Sequence, residues 1–87
     1  MDRQIELLKQ VREALQQEDF TSAIESLQEI VSVARERGDI GATGRHLGNL
    51  ALTYYRIGQP KNALEAFEEA LVCARQDADR MTENGLL

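Results

Sequence analysis

Cysteine occurs once in the chain, at Cys73, so no intrachain disulfide can form and a four-cysteine metal site is excluded. Tryptophan is absent, proline occurs once at Pro60, and aromatic residues make up only 5%. A β-sandwich draws its strands from aromatic and β-branched residues, so this shortage argues against an all-β fold and for helices. Basic residues are outnumbered ten to fifteen by acidic ones, for a net charge of −5. Nucleic-acid binding takes its affinity from phosphate neutralisation, and an acidic chain with no Lys/Arg cluster is poorly equipped for it, or for an anionic membrane surface. No apolar run approaches the roughly 20 residues of a membrane-spanning helix. The opening Met1-Asp2-Arg3-Gln4 carries no hydrophobic leader. With a lone thiol, these features point to a reducing cytosol. The length of 87 residues leaves room for one small domain and none for separate cofactor and substrate lobes.

What is present is ordinary globular material, 43% hydrophobic and 29% charged, which predicts a folded chain. Its organisation shows when the sequence is slid past itself by 40 residues. Leu7 then falls on Leu47, Ala23 on Ala63, Glu25 on Glu65, Glu29 on Glu69, Ala34-Arg35 on Ala74-Arg75, and Asp39 on Asp79. Apolar pairs join them: Ile24 with Leu64, Leu27 with Phe67, Ile30 with Ala70, Val31 with Leu71, Val33 with Cys73. An internal repeat of about 40 residues is the reading.

Each unit divides into two helical patterns. In the first, Ile5, Leu7, Leu8, Val11, Ala14 and Leu15 recur at three- and four-residue spacing, as one face of a helix requires. Gln16-Gln17-Glu18-Asp19 ends it. A second stripe, Ala23, Leu27, Ile30, Val31 and Ala34, runs until Gly38-Asp39, a glycine C-cap followed by an aspartate N-cap. The second unit repeats this with Leu47, Leu50, Ala51, Tyr54 and Ile57, the turn Gly58-Gln59-Pro60, and the stripe Ala63, Phe67, Ala70, Leu71, Cys73, Ala74. Because glycine weakens a helix interior by about 0.8–1.0 kcal/mol relative to alanine, Gly41 and Gly44 are expected to delay the third helix to about residue 44. The expected boundaries are about 2–38 for the first repeat and about 40–77 for the second. Residues 79–87 are read as a C-terminal cap or the truncated start of a third unit.

The run Asn49-Leu50-Ala51, followed by Tyr54, Gly58, Ala63, Phe67 and Ala70, resembles the tetratricopeptide repeat signature, in which Asn-Leu-Gly precedes Tyr, Gly, Ala, an aromatic and Ala. The resemblance is strong over residues 44–77 and partial over 4–37, where Ala14 and Glu18 replace the usual Tyr and Gly. The 40-residue period and the Ala-Arg…Asp ending of each unit resemble the long-period repeats of G-protein-signalling modulators and kinesin light chains. The implied fold is all-α, two helix-turn-helix repeats forming a short right-handed α-solenoid with a short C-terminal helical segment.

A Cys–His pair is the one catalytic arrangement that the composition allows. Cys73 aligns with Val33, however, and reads as a small core residue. His46 falls between apolar positions and reads as a surface or groove residue, with no metal motif beside it. Glu25, Glu29, Glu65, Glu68 and Glu69 lie along one side of the second helices rather than converging across a cleft, as paired acid–base chemistry requires. Gly41, Gly44 and Gly48 lack the Lys-Ser/Thr that closes a phosphate loop. No catalytic residue, metal site or cofactor is implied.

The family resemblance places partner contacts on the inner face of each first helix. Carried over by position, that face presents Ile5, Lys9, Arg12 and Gln16, with Leu8 and Leu15, from the first unit, and Arg45, Gly48, Asn49, Leu52 and Arg56 from the second. Asn49 matches a position whose amide grips a partner's backbone, supplying both donor and acceptor. Gly48 reads either as room for a bound segment or as a tolerated packing glycine. Lys9, Arg12, Arg45 and Arg56 gather four of the ten basic residues on one side of an acidic protein, or on an ordinary solvated face. The resulting expectation is a non-catalytic scaffold binding an acidic peptide or a chain-terminal carboxylate.

Two repeats are fewer than the three or so normally needed for stability. Ile5, Leu8, Leu15, Leu86 and Leu87 are therefore expected to support self-association, most simply as a twofold dimer, through these faces or by exchange of a helical hairpin about Gly38–Gly44. The alternatives are a self-assembling structural unit without an external ligand, or a fragment of a longer array.

Overall fold

The computed structural model describes residues 2–83. They form four helices, α1 (Arg3–Gln16), α2 (Phe20–Glu36), α3 (Ile40–Arg56) and α4 (Pro60–Glu83), with no strand among the described residues. Each of the first three starts from an aspartate. Asp2, Asp19 and Asp39 accept hydrogen bonds from the backbone N–H of Gln4, Ser22 and Ala42, which satisfies donors that a helix start leaves orphaned. Pro60, its φ fixed near the helical value, opens the fourth. All three turns pass through a left-handed residue: Glu18 at φ 57°, Gly38 at 70° and Gly58 at 78°. Glu18 and Gly58 are 40 residues apart, so the first turn adopts the geometry of the second without its glycine, at a cost of about 1–2 kcal/mol.

Helix α3 begins at Ile40, four residues before the start expected from its glycines. The Asp39 cap fixes the start, and two glycines belong inside the helix because α4 lies against them. A Cβ added to Gly41 would stand 3.2 Å from Asp77 Oδ2, and one added to Gly44 would stand 3.1 Å from Cys73 Cβ. Helix α4 runs unbroken through Asp79 to Glu83. Asp79 therefore lies inside α4 rather than at a helix start. Ala78 occupies the register position of Gly38, and without a residue suited to the left-handed turn the helix continues. Leu86 and Leu87 lie outside the described residues.

Successive helices pack as neighbours, α1 on α2, α2 on α3 and α3 on α4, while the backbones of α1 and α3 nowhere approach within 8 Å. Leu7, Val11, Leu27, Ile30, Val31, Leu47 and Leu50 form one buried cluster across the first three helices, and Tyr54, Ala70 and Cys73 pack against it. Ala23, Ala51 and Ala63 are buried where neighbouring helices meet, small residues permitting the close approach. Half-exposed ion pairs tie the outer sides: Arg3 donates to Glu29 at 2.7 Å and Arg35 to Glu69 at 2.6 Å. These bridge α1 to α2 and α2 to α4.

The two ends of the stack differ. On α3, Thr43, His46, Leu50 and Thr53 are buried, and their counterparts on α1 are Arg3, Glu6, Gln10 and Glu13. The first helix thus shows water a polar face where the third shows the first repeat a packed one. On α2, Leu27 and Val31 are 1% and 5% exposed, whereas their counterparts on α4, Phe67 and Leu71, are 39% and 65% exposed. The stripe that includes Phe67 and Leu71 is therefore not covered along its whole width: α3 covers that face of α2, and no described helix covers it on α4.

Candidate interaction surface

Positions along a helix advance by about 100° per residue, so Leu52, Arg45, Arg56 and Asn49 share an arc of roughly 60° on α3. All four are exposed. Ile5, Lys9, Arg12 and Gln16 hold the same register on α1 and are exposed as well. None of Lys9, Arg12, Arg45 and Arg56 takes part in the ion pairs found among the described residues. Arg56 instead lies over the Phe20 ring at 5.0 Å, a cation–π contact that holds its stem against α2 and keeps its charge on the surface.

Asn49 uses its backbone carbonyl to accept the Thr53 hydroxyl at 2.9 Å, leaving an exposed side-chain amide. Gly48 stands at the edge of this arc towards α4, and a Cβ added there would meet nothing within 4 Å. Packing inside the chain therefore accounts for Gly41 and Gly44 and not for Gly48. Among the residues expected to support self-association, Ile5 and Leu8 are exposed, whereas Leu15 is half-buried against the core.

His46 is buried rather than in a groove or on the surface. It lies about 200° around α3 from Gly44, which touches α4, so the first repeat is what covers it. Its Nδ1 has no hydrogen-bond partner. Burial, reinforced by the charge of Arg45 and opposed by Asp39, holds the imidazole pKa below its ordinary value and favours the neutral ring. Cys73, half-buried, packs against the core cluster. No group of three His, Cys, Asp or Glu suited to a metal ion occurs among the described residues.

A second surface was missed by the sequence reading. Between α3 and α4 runs a groove of about 450 Å³, walled on one side by Gly44, Arg45 and Gly48 and on the other by Phe67, Leu71 and Ala74. Its signal in the sequence is a run of apolar residues on α4 at alternating three- and four-residue spacing, continuing past the end of the second repeat. That spacing is visible in the sequence; that no described helix covers it is not.

Paired antiparallel helices repeated at a 40-residue interval, an Asp cap at each of the first three starts and small residues at the crossings now stand together. A comparison with protein families matches residues 6–76 to the tetratricopeptide repeat. The chain belongs to the tetratricopeptide repeat family. No curated protein and no solved structure matches it. Repeats of this family mediate protein–protein interaction and are typically non-catalytic modules. No helix among the described residues is long and apolar enough to cross a membrane.

Proposed function

We propose that this tetratricopeptide repeat protein is a non-catalytic scaffold that takes an acidic peptide, or the carboxylate end of a partner chain, along the exposed arcs of α1 and α3. The observation that carries this reading is the set of four bases, Lys9, Arg12, Arg45 and Arg56, standing outside every ion pair of the described residues in a chain of net charge −5. Asn49 supplies the amide for a partner's backbone, and Gly48 and Leu52 supply room and apolar contact. On this reading residues 2–38 and 40–77 are the two functional repeats. The acidic balance speaks against nucleic acid and anionic membranes as partners, and the lone thiol suits the reducing cytosol.

Titration with an acidic peptide tests it. Saturable binding should weaken as salt rises, because exposed charges are screened over about 8–10 Å. The paired substitution Arg45→Glu and Arg56→Glu should weaken it at least about tenfold, or about 1.4 kcal/mol. Asn49→Ala should also weaken it. Binding that is indifferent to salt and to both changes would remove this face from consideration.

A second reading, self-association, is favoured by a separate observation. Large apolar side chains on α4, Leu64, Phe67, Leu71 and Met81 among them, stay exposed in the single chain.

A further inference from the structure

We propose that α4 pairs antiparallel with α4 of a second copy of this chain. The proposal rests on the self-association reading and names its surface; it uses none of the bases on α1 and α3.

Leu64, Phe67, Leu71, Ala74, Ala78 and Met81 follow one another at spacings of three, four, three, four and three, and all occupy exposed positions. This is the a/d register of a two-stranded coiled coil, in which apolar residues repeat every 3.5 residues. The stripe spans nearly the whole of a helix of 24 residues, about 36 Å long. Helix α2, its counterpart, has 17 residues. The extension beyond the repeat carries Met81, the last member of the stripe.

Residue sizes and charges set the direction of pairing. Centred between Leu71 and Ala74, an antiparallel pair sets Leu71 against the second copy's Ala74, Phe67 against the second copy's Ala78, and Leu64 against the second copy's Met81. Large faces small in the central layers, the condition for close packing. A parallel pair in register would instead stack Phe67 on its own copy and Ala74 on its own copy, crowding one layer and leaving another hollow. Glu68 and Arg75 both flank the stripe on the side away from α3. Antiparallel pairing brings Glu68 opposite the second copy's Arg75, and the twofold axis makes that contact twice. Neither residue takes part in the ion pairs found among the described residues, and flanking charges of this kind fix orientation in paired helices. On the other flank the open Cβ position of Gly48 keeps the α3 wall of the groove low.

Head-to-tail stacking on α1 of a second copy is the rival occupant. It would press Arg3, Glu6, Gln10 and Glu13 into the place where α3 presents Thr43, His46, Leu50 and Thr53 to the first repeat, taking Glu13 and the Arg3–Glu6 and Arg3–Glu29 pairs out of water at a desolvation cost that their mutual attraction does not reliably repay.

Analytical ultracentrifugation of the full chain across the micromolar range tests the pairing, with circular dichroism confirming that each variant stays helical. The expected result is a monomer–dimer equilibrium in which Leu71→Glu raises the dissociation constant at least about tenfold. Glu68→Arg and Arg75→Glu should each weaken the dimer, and together restore it to within about twofold of the parent. A parent chain that stays monomeric at high micromolar concentration overturns self-association altogether. A dimer that tolerates Leu71→Glu but is broken by Leu8→Glu leaves self-association standing and overturns the α4 seam. Charge variants that fail to rescue each other overturn the antiparallel register.

Discussion

Three glycines within seven-residue reach of one another on α3 do different work, and a single added methyl group separates them. Alanine gains about 0.8–1.0 kcal/mol over glycine inside a helix when space allows. At Gly48 space is open, since a Cβ there meets nothing within 4 Å, so Gly48→Ala is expected to stabilise the chain by about that amount. At Gly44 the new Cβ would stand 3.1 Å from Cys73 Cβ, with Ala70 O at 3.6 Å. A Cβ cannot swing aside as a side-chain tip can, so the two helices must part, and overpacking of this kind costs about 1–3 kcal/mol. Gly44→Ala is therefore expected to destabilise. Urea denaturation of dilute samples should move the two midpoints in opposite directions; equal gains would show that α4 does not press on Gly44.

At the level of the helix, register siblings meet different fates. Leu27 and Phe67, like Val31 and Leu71, occupy one position in two copies of the same unit, yet α3 buries the first of each pair and water meets the second. Leu27→Ala is expected to cost about 2–5 kcal/mol, whereas Leu71→Ala in the dilute monomer should shift stability by no more than about 0.5 kcal/mol. Thermal or urea unfolding of the two variants side by side checks this, and similar losses would mean that something covers Leu71. The contrast also explains what the sequence could tell and what it could not. Apolar spacing and the Asp caps are local properties, so the existence and order of the four helices could be read directly. Which apolar stripe is covered depends on whether another helix follows, and Leu71 looks the same in sequence either way. The glycines misled about the start of α3 for a related reason: their helix penalty is local, but the space they leave for Asp77 and Cys73 belongs to a neighbouring helix far along the chain. The exposed arc of Arg45, Asn49, Leu52 and Arg56 could be read because its four members sit on one helix, where the period alone decides.

Across the whole molecule, the seam between the two repeats is the narrowest point. Among the described residues only α2 and α3 join the halves through close backbone packing, and repeat arrays owe their stability to such interfaces between neighbours. His46 is buried at this seam with Nδ1 unpartnered, and burial is the main reason that its pKa is held down. A neutral ring suits the folded state, while an unfolded chain takes up a proton near the ordinary histidine value of about 6.5. Above that pH both states carry a neutral ring and His46 contributes no slope. As the pH falls through about 6.5 the unfolded state binds the proton first, so stability declines, and it goes on declining until the folded-state pKa is reached. For one proton the slope cannot exceed about 1.4 kcal/mol per pH unit. The range that reports on the imidazole lies between about pH 7 and 5.5, around and below the ordinary histidine value. His46→Gln, which cannot take up a proton there, is expected to flatten the dependence across this window, whatever it does to stability at pH 7. Urea midpoints of parent and variant at several pH values decide the matter: parallel curves would mean that His46 is not held neutral at the seam, and a curve that flattens only in the variant would place the acid-sensitive point of the stack between its two repeats.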